Sequence, residues 1–221
     1  MSPALQRQSL EVLLEHPKEA DLNKVRMLTS QALQPEVLAV ALRYIWLTEP
    51  EPDIRQLRPY LQPEVDPIVR ATAAALMLRR GYPRQKAEAT NNLRLLVTSP
   101  QERERVMGCR ALGEAVYMQA LRLYIPNLLA DESLRVYCAL LEAIAATHLE
   151  EYYPSLLRGL TYQSTRETAL RSLVRLENEA IPLLLELALD IHKPDLVRQY
   201  AWTGIGRIDT PDRAAARRQE G

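Results

Sequence analysis

Val197-Arg198-Gln199-Tyr200-Ala201-Trp202-Thr203-Gly204-Ile205-Gly206-Arg207-Ile208 is the stretch that decides how this chain is read. A valine is followed by an arginine, a small residue stands three after the arginine, and an aliphatic residue stands four after that. Its apolar positions fall at 0, +4, +5 and +8, which is one face of a helix with a 3.6-residue period. The frame returns at Val69 (Ala73, Met77), Glu104 (Gly108, Leu112) and Thr165 (Ala169, Leu173), with weaker copies at Val37 (Ala41, Ile45) and Val136 (Leu140, Ile144). The six starts are 32, 35, 32, 29 and 32 residues apart. Chance apolar patterning does not keep such an interval, so the chain reads as a repeat. A small residue at +4 lets a neighbouring helix approach closely.

Upstream of each copy lies another amphipathic stretch, as in Tyr153-Pro154-Ser155-Leu156-Leu157 and Ile181-Pro182-Leu183-Leu184-Leu185. The recurring proline starts, ends or bends a helix. Short polar breaks separate the two stretches: Gln34-Pro35, Gln62-Pro63, Ser99-Pro100, Ala130 to Ser133, and His192 to Asp195. Breaks this short suit antiparallel helix neighbours. No stretch alternates with period two, so no sheet is expected.

The Pro-x-Leu-Leu turns, the polar break and the Val-Arg-x-x-Ala-x-x-x-Leu frame resemble the HEAT-repeat family over residues 17–208. The resemblance implies an all-α fold, a right-handed α-solenoid of about six antiparallel helix pairs, with the second helix of each pair on the concave side. It says little about function, because such arrays serve many roles. Residues 1–16, with Ser2-Pro3 and Leu5, Leu10, Val12 and Leu13, read as an N-terminal capping helix. Residues 209–221 read as a polar tail or a truncated next helix, with Thr210 and Pro211 as its start. The short end favours an array cut from a longer one.

Composition agrees with packed helices. Hydrophobic residues make up 47%, aromatics only 5%, and phenylalanine is absent, so the core must be aliphatic. Lys+Arg and Asp+Glu are both 28, which disfavours a dedicated nucleic-acid binder, whose basic excess is usually plain. Cys109 and Cys138 cannot build a disulfide framework, and a reducing, cytoplasmic setting is expected. No apolar run approaches the roughly 20 residues that span a bilayer, so direct membrane insertion is not expected.

Enzyme motifs are missing. There is no zinc-binding His-Glu-x-x-His and no phosphate loop, and Gly204-x-Gly206 falls inside a helix pattern. No cofactor, metal site or catalytic residue is expected. His16, His148 and His192 fall near helix C-terminal ends, where they meet free carbonyls. Cys109 takes a core slot. The arginines at +1, Arg70, Arg105, Arg166 and Arg198, read as structural, reaching acids of the adjacent turn such as Asp66, Asp131 and Asp195.

The positions that face away from the core, +6 and +10, are Arg43/Leu47, Ala75/Arg79, Arg110/Glu114, Glu142/Ala146, Arg171/Arg175 and Thr203/Arg207. Six of these twelve are arginine and two are glutamate. Two readings fit: a surface for acidic peptide segments, phosphates or nucleic acid, or a solvated face of good helix formers. The candidate contact residues are therefore Arg43, Arg79, Arg110, Arg171, Arg175 and Arg207, with Tyr44 and Tyr200 adding aromatic area. The expected function is a non-catalytic scaffold or adaptor holding an acidic protein partner. A HEAT-like nucleic-acid-binding or DNA-repair protein and a bilin-lyase-like subunit are the alternatives.

Overall fold

The computed structural model of the chain describes residues 2–29 and 33–208. The expected helix start at Thr210-Pro211 and the tail 209–221 lie outside the described residues. Within them, every regular element is helical, and no helix is long and apolar enough to cross a membrane. The chain divides into two compact units, Met1–Ala115 and Val116–Gly221.

The first unit holds α1 (Pro3–Glu15), α2 (Glu19–Thr29), α3 (Pro35–Thr48), a 3₁₀ segment (Ile54–Leu61), α4 (Pro67–Arg80), α5 (Pro83–Val97) and α6 (Glu102–Ala115). The starts are written in the sequence. Ser2 accepts from the Leu5 amide at 3.3 Å and Asp66 from the Ile68 amide at 3.0 Å, and Pro3, Pro35, Pro67 and Pro83 occupy the first turn of α1, α3, α4 and α5. Such caps supply acceptors for amides that have no helical partner. Helices α3, α4 and α6 pack in succession, and each also packs on the element before it. The N-terminal α1 packs on α3. The element before α4 is not an α-helix. Pro59 lies inside it, and it winds as 3₁₀.

The second unit holds α7 (Met118–Leu129), α8 (Leu134–Thr147), α9 (Tyr153–Gly159), α10 (Arg166–Arg175), α11 (Ala180–Leu189) and α12 (Asp195–Arg207). Here α8, α10 and α12 pack in succession, with α7, α9 and α11 against them. Pro126 neither starts nor ends α7. It sits inside the helix, where the missing N–H leaves the Arg122 carbonyl without its helical donor.

The six frame copies are the helices α3, α4, α6, α8, α10 and α12. At their 0, +4, +5 and +8 positions every residue is buried except Glu104 and Trp202, which are half-buried. The weaker copies keep register: Val37, Ala41, Leu42 and Ile45 are buried, as are Val136, Leu140, Leu141 and Ile144. Smallness at +4 has the expected use. A β-carbon added to Gly108 meets Val97 Cγ1 at 2.7 Å and the Val97 backbone nitrogen at 3.0 Å, so α5 and α6 approach too closely for any side chain there.

Candidate functional site

The outward positions of the second helices divide into three environments. Ala75 is fully buried, so the stripe is interrupted on α4, a correction to the expectation that +6 always faces out. Arg43 is half-buried and tied to Glu114 of α6 by two parallel hydrogen bonds, Nε to Oε1 at 2.7 Å and Nη2 to Oε2 at 2.8 Å. The fork-to-fork geometry makes this a strong form of ion pair. Arg79, Arg110, Arg171, Arg175 and Arg207 are exposed. Arg207 reaches Glu167 at 3.2 Å and Arg110 is engaged. Among the described residues Arg171 has only a long contact to the Thr168 hydroxyl, 3.4 Å. Arg79 and Arg175 have no ion pair among the described residues.

The two tyrosines part company. Tyr44 is fully buried, its hydroxyl donating to the Lys18 carbonyl at 2.8 Å and accepting from the Lys18 amide at 3.1 Å. It ties α3 to the chain entering α2 and is not a contact residue, contrary to expectation. The periodicity hid this, because Tyr44 lies between outward Arg43 and core Ile45, and only its polar tip decided the side. Tyr200 is half-buried, with the Arg166 guanidinium 5.1 Å from its ring centre, within cation–π range.

The +1 arginines are structural, and most of their described hydrogen bonds go to the backbone. They reach backbone carbonyls where the preceding element ends. Arg70 donates to Pro63 (3.2 Å), Arg105 to Ser99 and Pro100 (3.0 and 2.9 Å), Arg166 to Leu160 and Thr161 (2.8 and 3.1 Å), and Arg198 to Ala188 (3.0 Å). The last carbonyls of a helix lack helical donors and carry partial negative charge, so a guanidinium fork satisfies both needs. Of the acids expected to pair with them, Asp195 lies 3.4 Å from Arg198. Asp66 instead caps α4 and meets Arg103 at 2.9 Å, and Asp131 caps the turn at the Ser133 amide. Arg70, almost fully buried, adds Glu104 of α6 at 2.8 Å.

One cluster had no signal in the sequence. His148 closes α8 in the left-handed region, φ 52°, and its Nδ1 lies 2.9 Å from Glu179. The Tyr153 hydroxyl donates to the other oxygen of that carboxylate. Burial, then the hydrogen bond to Glu179, pushes the Tyr153 hydroxyl well above its ordinary value. The same hydrogen bond, aided by His148, holds Glu179 below the usual carboxylate range. Chain separations of about thirty residues between the partners made this invisible to local pattern. Among the described residues no group of His, Cys, Asp and Glu could hold a metal ion. Cys109 is buried and Cys138 half-buried.

No family model matches the chain, and no curated protein matches it. Among solved structures it is similar to an engineered protein from the Northeast Structural Genomics Consortium, with 16% identity and a TM-score of 0.41. The match covers 92% of this chain and 61% of the engineered one, so the chain spans about three fifths of that protein's length.

Proposed function

We propose that the protein is a HEAT-like α-solenoid of about six helix pairs that works as a non-catalytic, cytoplasmic scaffold, holding an acidic protein partner on the outward face of its second helices. The repeated frame and the packing of second helices in succession within each unit support the architecture. The function rests on one observation: Arg171 and Arg175, one turn apart on α10, stand exposed with no carboxylate partner among the described residues. In a chain of zero net charge, arginines left unpaired are available to a partner's carboxylates, which a guanidinium grips through two donors.

The test is fluorescence anisotropy with a rhodamine-labelled decaglutamate peptide at low salt. Reversing both charges (Arg171→Glu with Arg175→Glu) is expected to weaken binding by about tenfold, given that exposed pairs contribute up to ~1 kcal/mol each. Unchanged binding in that variant counts against the surface. A gel shift with DNA and RNA at low salt decides the nucleic-acid alternative, and retardation at micromolar protein would favour it over the acidic protein.

A further inference from the structure

A pocket of about 230 Å³ opens in the first unit where α1, α3, α4 and α6 meet. Val40, Ala71, Thr72 and Met107 line it together with both members of the Arg43–Glu114 pair. Because α4 packs against both α3 and α6, that pair spans α4, at a place where α4 lines the pocket with Ile68, Ala71 and Thr72. Three features of this pocket are unexplained by the fold.

The first is the Thr72 hydroxyl, buried and without a hydrogen-bond partner. Thr90, Thr98, Thr147 and Thr203 each donate to the carbonyl four residues back, at 2.7 to 2.9 Å. Thr72 does not, and an unpaired buried hydroxyl costs about 1–3 kcal/mol. The second is Glu114. It stands in the last turn of α6, where the helix dipole disfavours a carboxylate, so α6 gains nothing from it. The third is the charge of the walls. Arg7 meets Glu11 at 3.4 Å, Glu36 meets Arg103 at 4.0 Å, and Arg110 is engaged. Arg7 and Glu11 pair within the same walls but as an exposed, single contact, whereas Arg43 and Glu114 form the half-buried bidentate pair.

We propose that this pocket is a self-masked anchor for a carboxylate side chain of the partner, with Glu114 as the internal occupant that the partner displaces from Arg43. An incoming carboxylate takes the two Arg43 donors, and the Thr72 hydroxyl supplies a third, satisfying a group the free protein leaves unpaired. Glu114, already partly solvated, turns out to water. The exchange trades one bidentate pair for another, so its net drive comes from Thr72 and from the rest of the partner's contacts. This inference rests on the reading that the partner is acidic.

The labelled decaglutamate peptide again serves as probe. Glu114→Gln removes the competitor, and affinity is expected to rise about fivefold, the order of one recovered partly buried ion pair. Glu88→Gln, which removes an equal charge from an exposed pair with Arg58, is the control and is expected to change affinity much less. Thr72→Val keeps the shape and deletes the hydroxyl. It is expected to weaken the peptide severalfold while leaving the melting temperature equal or higher. If Glu114→Gln and Glu88→Gln act alike, or Thr72→Val binds as the wild type, the anchor is wrong while the acidic-partner reading stands. If the wild type binds no peptide at any salt, both fail together.

Discussion

Arg43 and Arg171 occupy the same frame position in the two units, yet one is locked and the other is free. Arg43 is held by Glu114 through both edges of a carboxylate. Arg171 stands in solvent one turn from Arg175. The first unit repeats the habit: Arg70 meets Glu104, and Arg103 meets Asp66, each pair joining two second helices. Its core also takes Tyr44 and Trp46. The second unit packs α8, α10 and α12 with leucine, alanine, valine and isoleucine, and two of its ion pairs, Arg122–Glu151 and Arg207–Glu167, are exposed. A stripe position is therefore not a surface position in itself. What decides is the residue that a neighbouring helix brings opposite it.

Removing the most buried tie gives the sharpest contrast. Arg70→Ala strands Glu104 and uncaps the Pro63 carbonyl, and should lower the unfolding free energy by about 3 kcal/mol. Arg198→Ala, at the equivalent position of the second unit but a third exposed, should cost only about 1 kcal/mol. Urea midpoints of the two variants check the difference, and equal losses would break the contrast between the units. Close approach comes next. Gly108→Ala drives a methyl into the Val97 backbone and should cost about 2 kcal/mol. Gly204→Ala meets only the side-chain tips of Leu184 and Leu170, at 3.0 and 3.1 Å, and should cost under about 1 kcal/mol. Thermal melts of the pair measure it.

A gain of stability is expected at the start of the second unit. Val116 follows α6 with φ 52°, a conformation that costs a β-branched residue about 1–2 kcal/mol. Val116→Gly should therefore raise the melting temperature. A fall would mean that the half-exposed valine side chain contributes more than its backbone costs.

The smallest effect belongs to the His148–Glu179–Tyr153 cluster, whose carboxylate is partly exposed. Glu179 is held below the ordinary carboxylate value, so the folded chain binds its proton later than the unfolded chain does. Its stabilisation is present at neutral pH and fades as pH falls from the ordinary carboxylate value through the lowered one. The stability gap between wild type and Glu179→Gln, followed by urea midpoint, should shrink between about pH 5 and pH 3. A gap that stays constant over this range would show that the cluster acts through shape and not through charge.

The sequence by itself determined the second helices. Period, register and core face were all legible, because burial of a helix face constrains neighbouring positions on one element, and local spacing carries that constraint. Even the imperfect copies at Val37 and Val136 keep it, with leucine or tyrosine at +1, because that position lies beside the core face: Leu38 and Tyr137 are half-buried, and Tyr137 donates to the Ser155 carbonyl of α9 at 3.3 Å. The 3₁₀ winding of Ile54–Leu61 was less legible, since its apolar residues alone do not distinguish it from an α-helix. Tertiary structure alone decided the fate of each polar group: which carbonyls the +1 arginines collar, that Tyr44 turns inward, that Glu114 answers Arg43 from 71 residues away, and that nothing answers Thr72. The physical reason is range. Apolar burial is read along one helix, whereas a hydrogen bond needs a partner within about 3 Å, and the chain brings that partner from another helix.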